Sequence, residues 1–321
     1  MENEASILAS LRAYQHIRHF STETIKLTEE GSRFFFRFMG KQEVKEIQHI
    51  GRTHLLAYLD FLYHYVTKKG TPYTIQSICA RVRSVKRLFA FLETTKVIIV
   101  NPAADLREPR VEKRILKVIL TEAQTDHLLE TPDVTKSVGL RNRAVLEVLY
   151  STGIRLNELV HLRLGDVDLK NGLLRVNQGK GNKDRMVPLG QVAVRWIQAY
   201  LMKVRLEVVK EENHLFLNRA GIPLSKQMVE IMVRKTAKQA GILERVTPHV
   251  FRHSFATQLV RNGADILMVS QMLGHTRVDT TQIYVRAAGV DVKKTHQGSH
   301  PREKMQEAEV KPTNVGYFHH V

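Results

Sequence analysis

Five short blocks of residues, spread from residue 152 to residue 284, constrain the fold more than any other feature of the chain. Together they carry arginine, lysine and histidine side chains, and the last block ends on a tyrosine. The blocks are Thr152–Arg155, Gly179–Lys183, His249–His253, Leu273–His275 and Thr280–Tyr284. Cationic and imidazole groups that surround a phosphodiester stabilise the negative charge that develops when an oxygen attacks phosphorus. A fold that brings these blocks together would cleave and rejoin nucleic acid through a covalent phosphotyrosine.

The charge of the chain indicates a polyanionic partner. Its 321 residues include 49 Lys and Arg against 32 Asp and Glu, which gives a net charge of +17 and a sequence pI of about 10.0. A ribosomal or membrane-surface protein is the alternative, but such a protein needs neither the fixed spacings nor the tyrosine. The length fits two domains of ordinary size.

Compartment and redox state are indicated by the cysteine count and the N-terminus. The single cysteine, Cys79, lies in an apolar row with Ile75, Ile78 and Val82 and is interpreted as a core residue that forms no intramolecular disulfide. The first residues are acidic and lack the basic start and apolar stretch of a signal peptide. No apolar run is long enough to span a bilayer. We expect the protein in the cytoplasm.

Residues 21–107 are predicted to form a helical first domain, preceded by a weakly patterned extension over residues 1–20. Apolar residues predict helices from Thr24 to Met39 and from Arg52 to Tyr65. The clearest helix runs from about Thr74 to Glu93, where apolar residues recur at steps of three and four. Four basic residues of this helix lie outside its apolar face: Arg81, Arg83, Lys86 and Arg87. Two interpretations stay open for them, contact with DNA phosphates or a major groove, and a merely solvated helix face.

Residues 108–117 are charged, have little to bury and are predicted to be a linker, so the second domain is expected over residues 118–290. Thr121 to Gln124 is typical of a capping box. Gly153 is expected to end a helix over Leu140–Tyr150 and to leave Arg155 at the start of the next helix, Leu156–Leu164. Two short strands around a glycine-rich turn are expected to carry Lys180 at a hairpin tip.

A helix is predicted to begin at Thr247-Pro248, with the threonine as its cap. On that helix His249, Arg252 and His253 share a face by their spacing. The two histidines are also spaced as zinc ligands can be, but the glutamate of His-Glu-x-x-His is missing and no Cys/His cluster completes a site. The glycines around Lys180 lack the spacing of a nucleotide-binding loop. The expectation is therefore an enzyme without metal or other cofactor.

The chemistry of the blocks assigns tasks to residue types. Arginine donates two hydrogen bonds from a planar fork and stays charged at all working pH values. An ammonium such as Lys180 in a cationic, partly desolvated site can act as a general acid, or it can simply clamp a phosphate, as can Lys183 or Arg185 in the same region. Tyrosine ionises near pH ~10 and needs a proton acceptor or positive surroundings to attack at neutral pH. Either His249 or His275 fits that need.

The five blocks, in this order and with His249-x-x-Arg252, Leu273-Gly274-His275 and Tyr284 at these spacings, resemble the tyrosine recombinases of the phage integrase family, most closely the Xer-like branch. The resemblance covers about residues 20–302. It implies a mainly α fold with a small β-sheet (α+β), in which a helical, SAM-like core-binding domain and a mixed α/β catalytic domain form a two-domain clamp around DNA.

The resemblance also implies a role for each matched position. Arg155 and Arg252 would hold the scissile phosphate, and Tyr284 would be the nucleophile. Lys180 would protonate the leaving 5′ oxygen, which leaves Lys183 and Arg185 to bind DNA. His249 and His275 look like the two motif histidines. The residues after the tyrosine look like an Xer-type tail, so residues 291–321 are expected to contact a neighbouring protomer in a tetramer on two double-stranded DNA sites.

Several functions fit this resemblance. Chromosome or plasmid dimer resolution and mobile-element integration and excision both remain, with a homotetramer or a hetero-tetramer that includes a second recombinase. A type IB topoisomerase would use the same chemistry as a monomer. A DNA-binding protein that has lost the chemistry would be expected to lack one of the six matched residues, and all six are present.

Overall fold

The computed structural model describes residues 4–110, 118–177, 184–208, 213–275 and 281–288. The chain divides into two compact units, Met1–Lys113 and Arg114–Val321. The division lies within residues 108–117, the stretch predicted to be a linker. No helix in the described ranges has both the length and the apolar character that crossing a bilayer requires.

The first unit is helical. Its described α-helices are α1 (Glu4–Ile17), α2 (Thr22–Lys41), α3 (Arg52–His64) and α4 (Ile75–Thr94). The sequence predicts α2, α3 and α4 to within two residues at each end, and Thr74 caps α4 as its polar side chain suggests. It does not predict α1, which lies in the expected N-terminal extension. This helix buries Leu8 and Leu11 in the core of the unit, on an apolar stripe too narrow to stand out in the sequence.

Aromatic residues fill the centre of the first unit. Phe35 meets Tyr58 and Phe89 edge to face, with ring centroids 4.9 Å and 5.8 Å away. Beside them, α2 and α4 approach closely where Gly31 lies against Ser84. The Ser84 hydroxyl donates to the carbonyl oxygen of Leu27 at 3.1 Å, so a side-chain hydrogen bond joins the two helices at the point of closest approach.

The second unit surrounds a small sheet with helices. Its described α-helices are α5 (Glu122–Glu130), α6 (Ser137–Thr152), α7 (Leu156–Val160), α8 (Gln191–Tyr200), α9 (Leu206–Val208), α10 (Lys226–Gln239), α11 (Pro248–Arg261), α12 (Ile266–Leu273) and α13 (Gln282–Ala288), and its strands are β1 (Val167–Asp168), β2 (Leu173–Val176) and β3 (Arg185–Pro188). A π-helical turn, Leu201–Arg205, joins α8 to α9. The sheet is antiparallel in the order β1-β2-β3, and Val176 pairs with Arg185. This composition confirms the predicted fold class.

Local sequence signals account for the helix ends that shape the site. Thr121 and Gln124 form the predicted capping box of α5. Gly153 ends α6 with a φ of 58°, and Gly274 ends α12 with a φ of 62°, a left-handed conformation that glycine adopts without strain. Thr247 does precede α11, with Pro248 in the first turn, but its side chain makes no capping hydrogen bond.

One helix prediction is wrong. The helix expected over Leu156–Leu164 ends at Val160, and a 3₁₀ turn over Leu164–Asp166 follows. The Asp166 carboxylate accepts from the Arg163 backbone N–H at 2.9 Å, which caps the turn. The same carboxylate accepts from the Arg175 and Asn177 side chains of the hairpin. A carboxylate that recruits partners across the sheet is a tertiary constraint, and it overrides the local helical pattern.

Because α2 and α4 approach so closely, adding one methyl group at Gly31 is expected to destabilise the protein. In Gly31→Ala the new Cβ would overlap both Cβ and Oγ of Ser84. We expect the free energy of unfolding to fall by about 1–3 kcal/mol because the helices must separate. Gly40→Ala, on the same helix with nothing within 4 Å of the added Cβ, is the matched control. Urea denaturation of both variants compares them, and equal stability would contradict the packing described.

Candidate active site

The C-terminal end of α12 gathers three arginines. Each donates to one of three consecutive backbone carbonyl oxygens. The contacts are Arg185 Nε to Met272 O at 2.9 Å, Arg252 Nη2 to Leu273 O at 2.7 Å, and Arg155 Nη2 to Gly274 O at 3.0 Å. The last carbonyls of a helix have no partners within it, and they form the negative end of its dipole. The helix end therefore provides both acceptors and a favourable field for side chains that come from α7, β3 and α11.

Glu158 lies between two of these arginines. Its carboxylate accepts from Arg155 Nη1 at 3.0 Å and from Arg185 Nη1 and Nη2 at 3.0 Å and 2.8 Å, the second pair being a bidentate contact. The side chain is 7% exposed. Burial favours the neutral carboxyl, but hydrogen bonds from Arg185 and from the Arg155 backbone, together with both positive charges, outweigh it and lower the pKa of Glu158. The carboxylate is therefore ionised and offsets the repulsion between the arginines.

Arg252 is the most buried of the three arginines, at 5% exposure. Its Nη1 donates to the carbonyl oxygen of Gly153 at 2.7 Å, which links the ends of α6 and α12 through one guanidinium. Burial, and then the neighbouring charge of Arg155, lower the pKa of Arg252 to about 10. The group remains positively charged at neutral pH.

Tyr284, on α13, is 1% exposed. Its ring lies in a cluster with Phe255, Val269 and Leu273. The phenol oxygen lies 3.1 Å from Nδ1 of His253. Burial raises the pKa of Tyr284, while the charges of Arg252 and Arg155 oppose that rise. The nucleophile expected from the sequence is thus close to the arginine pair and enclosed by protein.

His275 stacks on the tyrosine. The two rings are nearly parallel, at an interplanar angle of 13° and a centroid distance of 6.3 Å. Nδ1 of His275 lies 2.8 Å from the hydroxyl oxygen of Thr281, a fully buried residue that fixes the orientation of the imidazole. Burial, and then the charges of Arg252, Arg155 and Arg185, lower the pKa of His275 to about 4. Its imidazole is neutral at neutral pH.

The structure brings together four of the six residues predicted to be catalytic: Arg155, Arg252, His275 and Tyr284. His249 is exposed on the first turn of α11, one turn from His253. The predicted general acid Lys180 and the predicted phosphate ligand Lys183 lie outside the described residues. The roles of all six remain predictions.

Sequence analysis missed three residues of this cluster. Glu158 follows Arg155 by three residues, a spacing that would have indicated a contact within one turn of helix. The spacing predicts that His253 shares a face with Arg252, but from the sequence alone it indicates only a possible zinc ligand. Thr281 gives no sequence signal of its own. Among the described residues, no group of three His, Cys, Asp or Glu is arranged to hold a metal ion.

Five of the six residues predicted to contact DNA lie in the described ranges, and each of these five has a partner inside the protein. Arg185 is 13% exposed and is held by Glu158 and Met272, which indicates a structural role at the arginine cluster. The four basic residues of α4 also have contacts within the first unit. Arg81 stacks on Phe34 at 5.0 Å, Arg83 pairs with Glu108 at 2.8 Å, Lys86 donates to Leu106 O at 3.0 Å, and Arg87 donates to the Thr28 hydroxyl at 3.4 Å. Of these four, Arg83 is the exposed one.

Comparison with known proteins identifies the family. The phage integrase family matches residues 119–289. Tyrosine recombinase XerD of Staphylococcus haemolyticus is 34% identical over 301 residues, which cover 93% of this chain and 99% of that protein. Tyrosine recombinase XerD of Staphylococcus aureus (strain Mu50) is 34% identical over 270 residues, which cover 82% and 91%.

Solved structures agree with this result. XerA recombinase is 30% identical with a TM-score of 0.51, and the likeness covers 93% of this chain and 99% of that one. XerH bound to its difH substrate has a TM-score of 0.64 at 22% identity, covers 87% of this chain and 79% of that one, and shows the fold alone. These likenesses define an enzyme of site-specific recombination. The chain belongs to the phage integrase family and is a tyrosine recombinase of the Xer-like type.

The two buried histidines predict how stability depends on pH. Folding lowers the pKa values of His253 and His275 from 6.5 to about 4. Between these values the unfolded chain binds more protons than the folded one, so stability rises with pH across the window. We expect the free energy of unfolding to fall as the pH is lowered from about 6.5 towards 4. Denaturation at several pH values should show a weaker slope for His275→Asn than for the exposed control His16→Asn. Identical slopes would contradict the burial of His275.

Gly274 predicts a second effect, on the arginine cluster. A Cβ at this position would lie 2.9 Å from Cζ of Arg185, at a φ of 62°. Gly263 is the matched control, because its φ is 86° and nothing lies within 4 Å of an added Cβ. Alanine at either position costs about 1–2 kcal/mol of backbone strain. Gly274→Ala should lower the free energy of unfolding by about 1–3 kcal/mol more than Gly263→Ala, because Arg185 must move. Equal losses in urea denaturation would show that Arg185 moves aside freely.

Proposed function

We propose that this recombinase cleaves and rejoins double-stranded DNA at paired sites through a 3′-phosphotyrosine formed by Tyr284. One observation carries the proposal: Arg155, Arg252, His275 and Tyr284 converge at the end of α12 although they are up to 129 residues apart. Such a cluster, held together without DNA, is the preorganised cationic environment that phosphoryl transfer requires.

In the proposed reaction, the phenol oxygen of Tyr284 attacks the scissile phosphorus and the 5′ oxygen leaves. Arg155 and Arg252 donate hydrogen bonds to the non-bridging oxygens. Each guanidinium carries five N–H donors, and the contacts of Arg252 to two backbone carbonyls leave others for phosphate. Lys180 donates a proton to the leaving oxygen, and His249 or His275 accepts the tyrosine proton. The phosphotyrosine retains the energy of the broken bond, so religation needs no nucleotide cofactor.

The burial of Tyr284 implies a step before cleavage. A phenol that is 1% exposed cannot reach a phosphate in solvent. We propose that DNA binding opens the enclosure formed by Phe255, Val269 and Leu273, so that the hydroxyl and the arginines face the same phosphate. Protein that is not bound at its own site would then be unable to cleave unrelated DNA.

DNA as the partner is supported by the solved relatives. XerH is described in pre-cleavage and post-cleavage complexes with difH substrates, and lambda integrase as a dimer bound to a core site. For this chain we propose a homotetramer on two DNA sites, or a hetero-tetramer with a second recombinase, which exchanges strands in pairs through a Holliday junction. Its purpose is dimer resolution of chromosomes or plasmids, or integration and excision of a mobile element. Such DNA implies action in the cytoplasm.

The proposed division of labour follows the predicted domains. Residues 21–107 bind the core of the DNA site, with residues 1–20 as an extension. Residues 108–117 link this domain to the catalytic domain, 118–290, and residues 291–321 contact a neighbouring protomer. DNA binding also involves Lys183 and four basic residues of α4: Arg81, Arg83, Lys86 and Arg87. For Arg185 we propose that it positions Glu158.

The nucleophile assignment predicts the outcome of removing one oxygen atom. Tyr284→Phe should keep DNA binding and lose the covalent protein–DNA complex, because the ring packing is retained and only the hydroxyl is lost. A nicked suicide substrate that traps the adduct, together with a DNA mobility shift, measures both properties. Tyr63→Phe, at an exposed tyrosine, is the matched control and should form normal adduct.

Two outcomes of this experiment would change the assignment. A normal adduct yield from Tyr284→Phe would exclude Tyr284 as the nucleophile. Relaxation of any supercoiled plasmid by the unmodified protein, without dependence on a site, would favour a type IB topoisomerase over a recombinase.

A further inference from the structure

His253 has no role in the reaction proposed above, yet it hydrogen-bonds to the Tyr284 hydroxyl, beside Arg252. Its Nδ1 lies 3.1 Å from the phenol oxygen, and the two rings are 5.7 Å apart at 47°. The contact joins α11 to α13 across 31 residues of sequence. His253 directly follows Arg252 on α11. The residue that contacts the tyrosine hydroxyl and the arginine proposed to bind phosphate are therefore neighbours in the sequence.

The surroundings of the phenol make this contact important. The ring of Tyr284 lies in an apolar cluster that includes Phe255, Val260 and Leu273. A buried hydroxyl without a hydrogen-bond partner is unfavourable, because it has left water without replacing what it lost. Although His275 lies nearby, its ring is parallel to that of Tyr284, and its Nδ1 is engaged with Thr281.

The direction of the hydrogen bond follows from the charge and the tautomer of the imidazole. Burial, and then electrostatic interactions with His249 and Arg252, lower the pKa of His253 to about 4, so the ring is neutral at neutral pH. A neutral ring carries one proton, and with that proton on Nε2 the Nδ1 atom accepts a hydrogen bond from the phenol, to which Arg252 beside it can only donate and from which it cannot accept. His253 is therefore suited to hold the hydroxyl by accepting its hydrogen bond.

We infer that His253 is a positioning residue for the nucleophile, and that it fixes the Tyr284 hydroxyl beside Arg252 by accepting its hydrogen bond through Nδ1. With the proton directed at His253, the lone pairs of the phenol oxygen are free to point elsewhere, and the oxygen stays within the field of Arg252 and Arg155. This inference rests on the proposed function, in which Tyr284 attacks the phosphate.

Two substitutions of His253 distinguish the effect of its hydrogen-bond acceptor from the effect of its side-chain volume. In His253→Asn the side-chain Oδ1 can take the place of Nδ1 as an acceptor but cannot take up a proton, and asparagine is about as compatible with a helix as histidine. In His253→Leu the bulk is largely kept and the acceptor is lost. His127→Leu, at an exposed histidine of α5, is the control for the substitution itself.

The first measurement needs no DNA. In protein labelled with ¹³Cζ-tyrosine, the Tyr284 signal is identified by its loss in Tyr284→Phe. We expect His253→Leu to shift that signal and His253→Asn to leave it near the position in the unmodified protein. An unchanged signal in His253→Leu would overturn the inference, whatever reaction the protein catalyses.

The second measurement is the single-turnover rate of adduct formation on a nicked substrate. His253→Leu should lower the rate about 10-fold to 100-fold, the range expected for one lost buried hydrogen bond, with little change in the Kd for DNA. His253→Asn should stay within about threefold. Equal loss in both variants would overturn the positioning role in favour of a proton acceptor, and a normal rate in His253→Leu would overturn it altogether. If the unmodified protein forms no adduct, the proposed function fails, and the tyrosine signal alone decides the hydrogen bond.

Discussion

Three positively charged side chains can lie side by side only if something offsets their repulsion, and here the offset is the end of one short helix. Arg155, Arg185 and Arg252 donate to the last carbonyls of α12 and its cap residue. Gly274 turns the chain into a left-handed conformation there, which leaves those carbonyls open to side chains from elsewhere. With the Glu158 carboxylate added, the helix end sets the relative positions of α7, β3 and α11. The geometry of the site is therefore a property of the core of the catalytic unit.

In this arrangement the arginine cluster is already assembled, whereas the tyrosine is not accessible to a substrate. The cationic groups that would stabilise a phosphorane are in place without DNA, held by backbone atoms that do not move independently. The tyrosine is close to them but enclosed among apolar side chains. In the proposed reaction, rate enhancement would come from the polar contacts at the end of α12, and restraint of the nucleophile from its apolar enclosure. A substitution in the Phe255 cluster would affect access, whereas one at the end of α12 would affect chemistry.

Much of this could be predicted from the sequence, and the limits are physical. Apolar periodicity predicts α2, α3 and α4, and Gly153 predicts the end of α6, because these are local properties of a helix. The family motifs predict four of the residues that meet in the site: Arg155, Arg252, His275 and Tyr284. Periodicity cannot predict that Arg185 turns inward to Glu158 or that His253 meets Tyr284, because such pairs depend on how distant elements pack. The helix α1 escaped prediction because only a narrow stripe of it is buried.

The basic residues of α4 have a consequence for binding that their charge alone would not suggest. Arg81 is stacked on Phe34 and Tyr73, and Lys86 and Arg87 are tied to a carbonyl and a hydroxyl of the same unit. A long cationic side chain in free solution samples many rotamers and loses that conformational entropy, about 2 kcal/mol per side chain, when a ligand orders it. Side chains already ordered by their own domain have less to lose. When a polyanion binds at α4, these side chains lose little further conformational entropy, because most of that loss occurred when the chain folded.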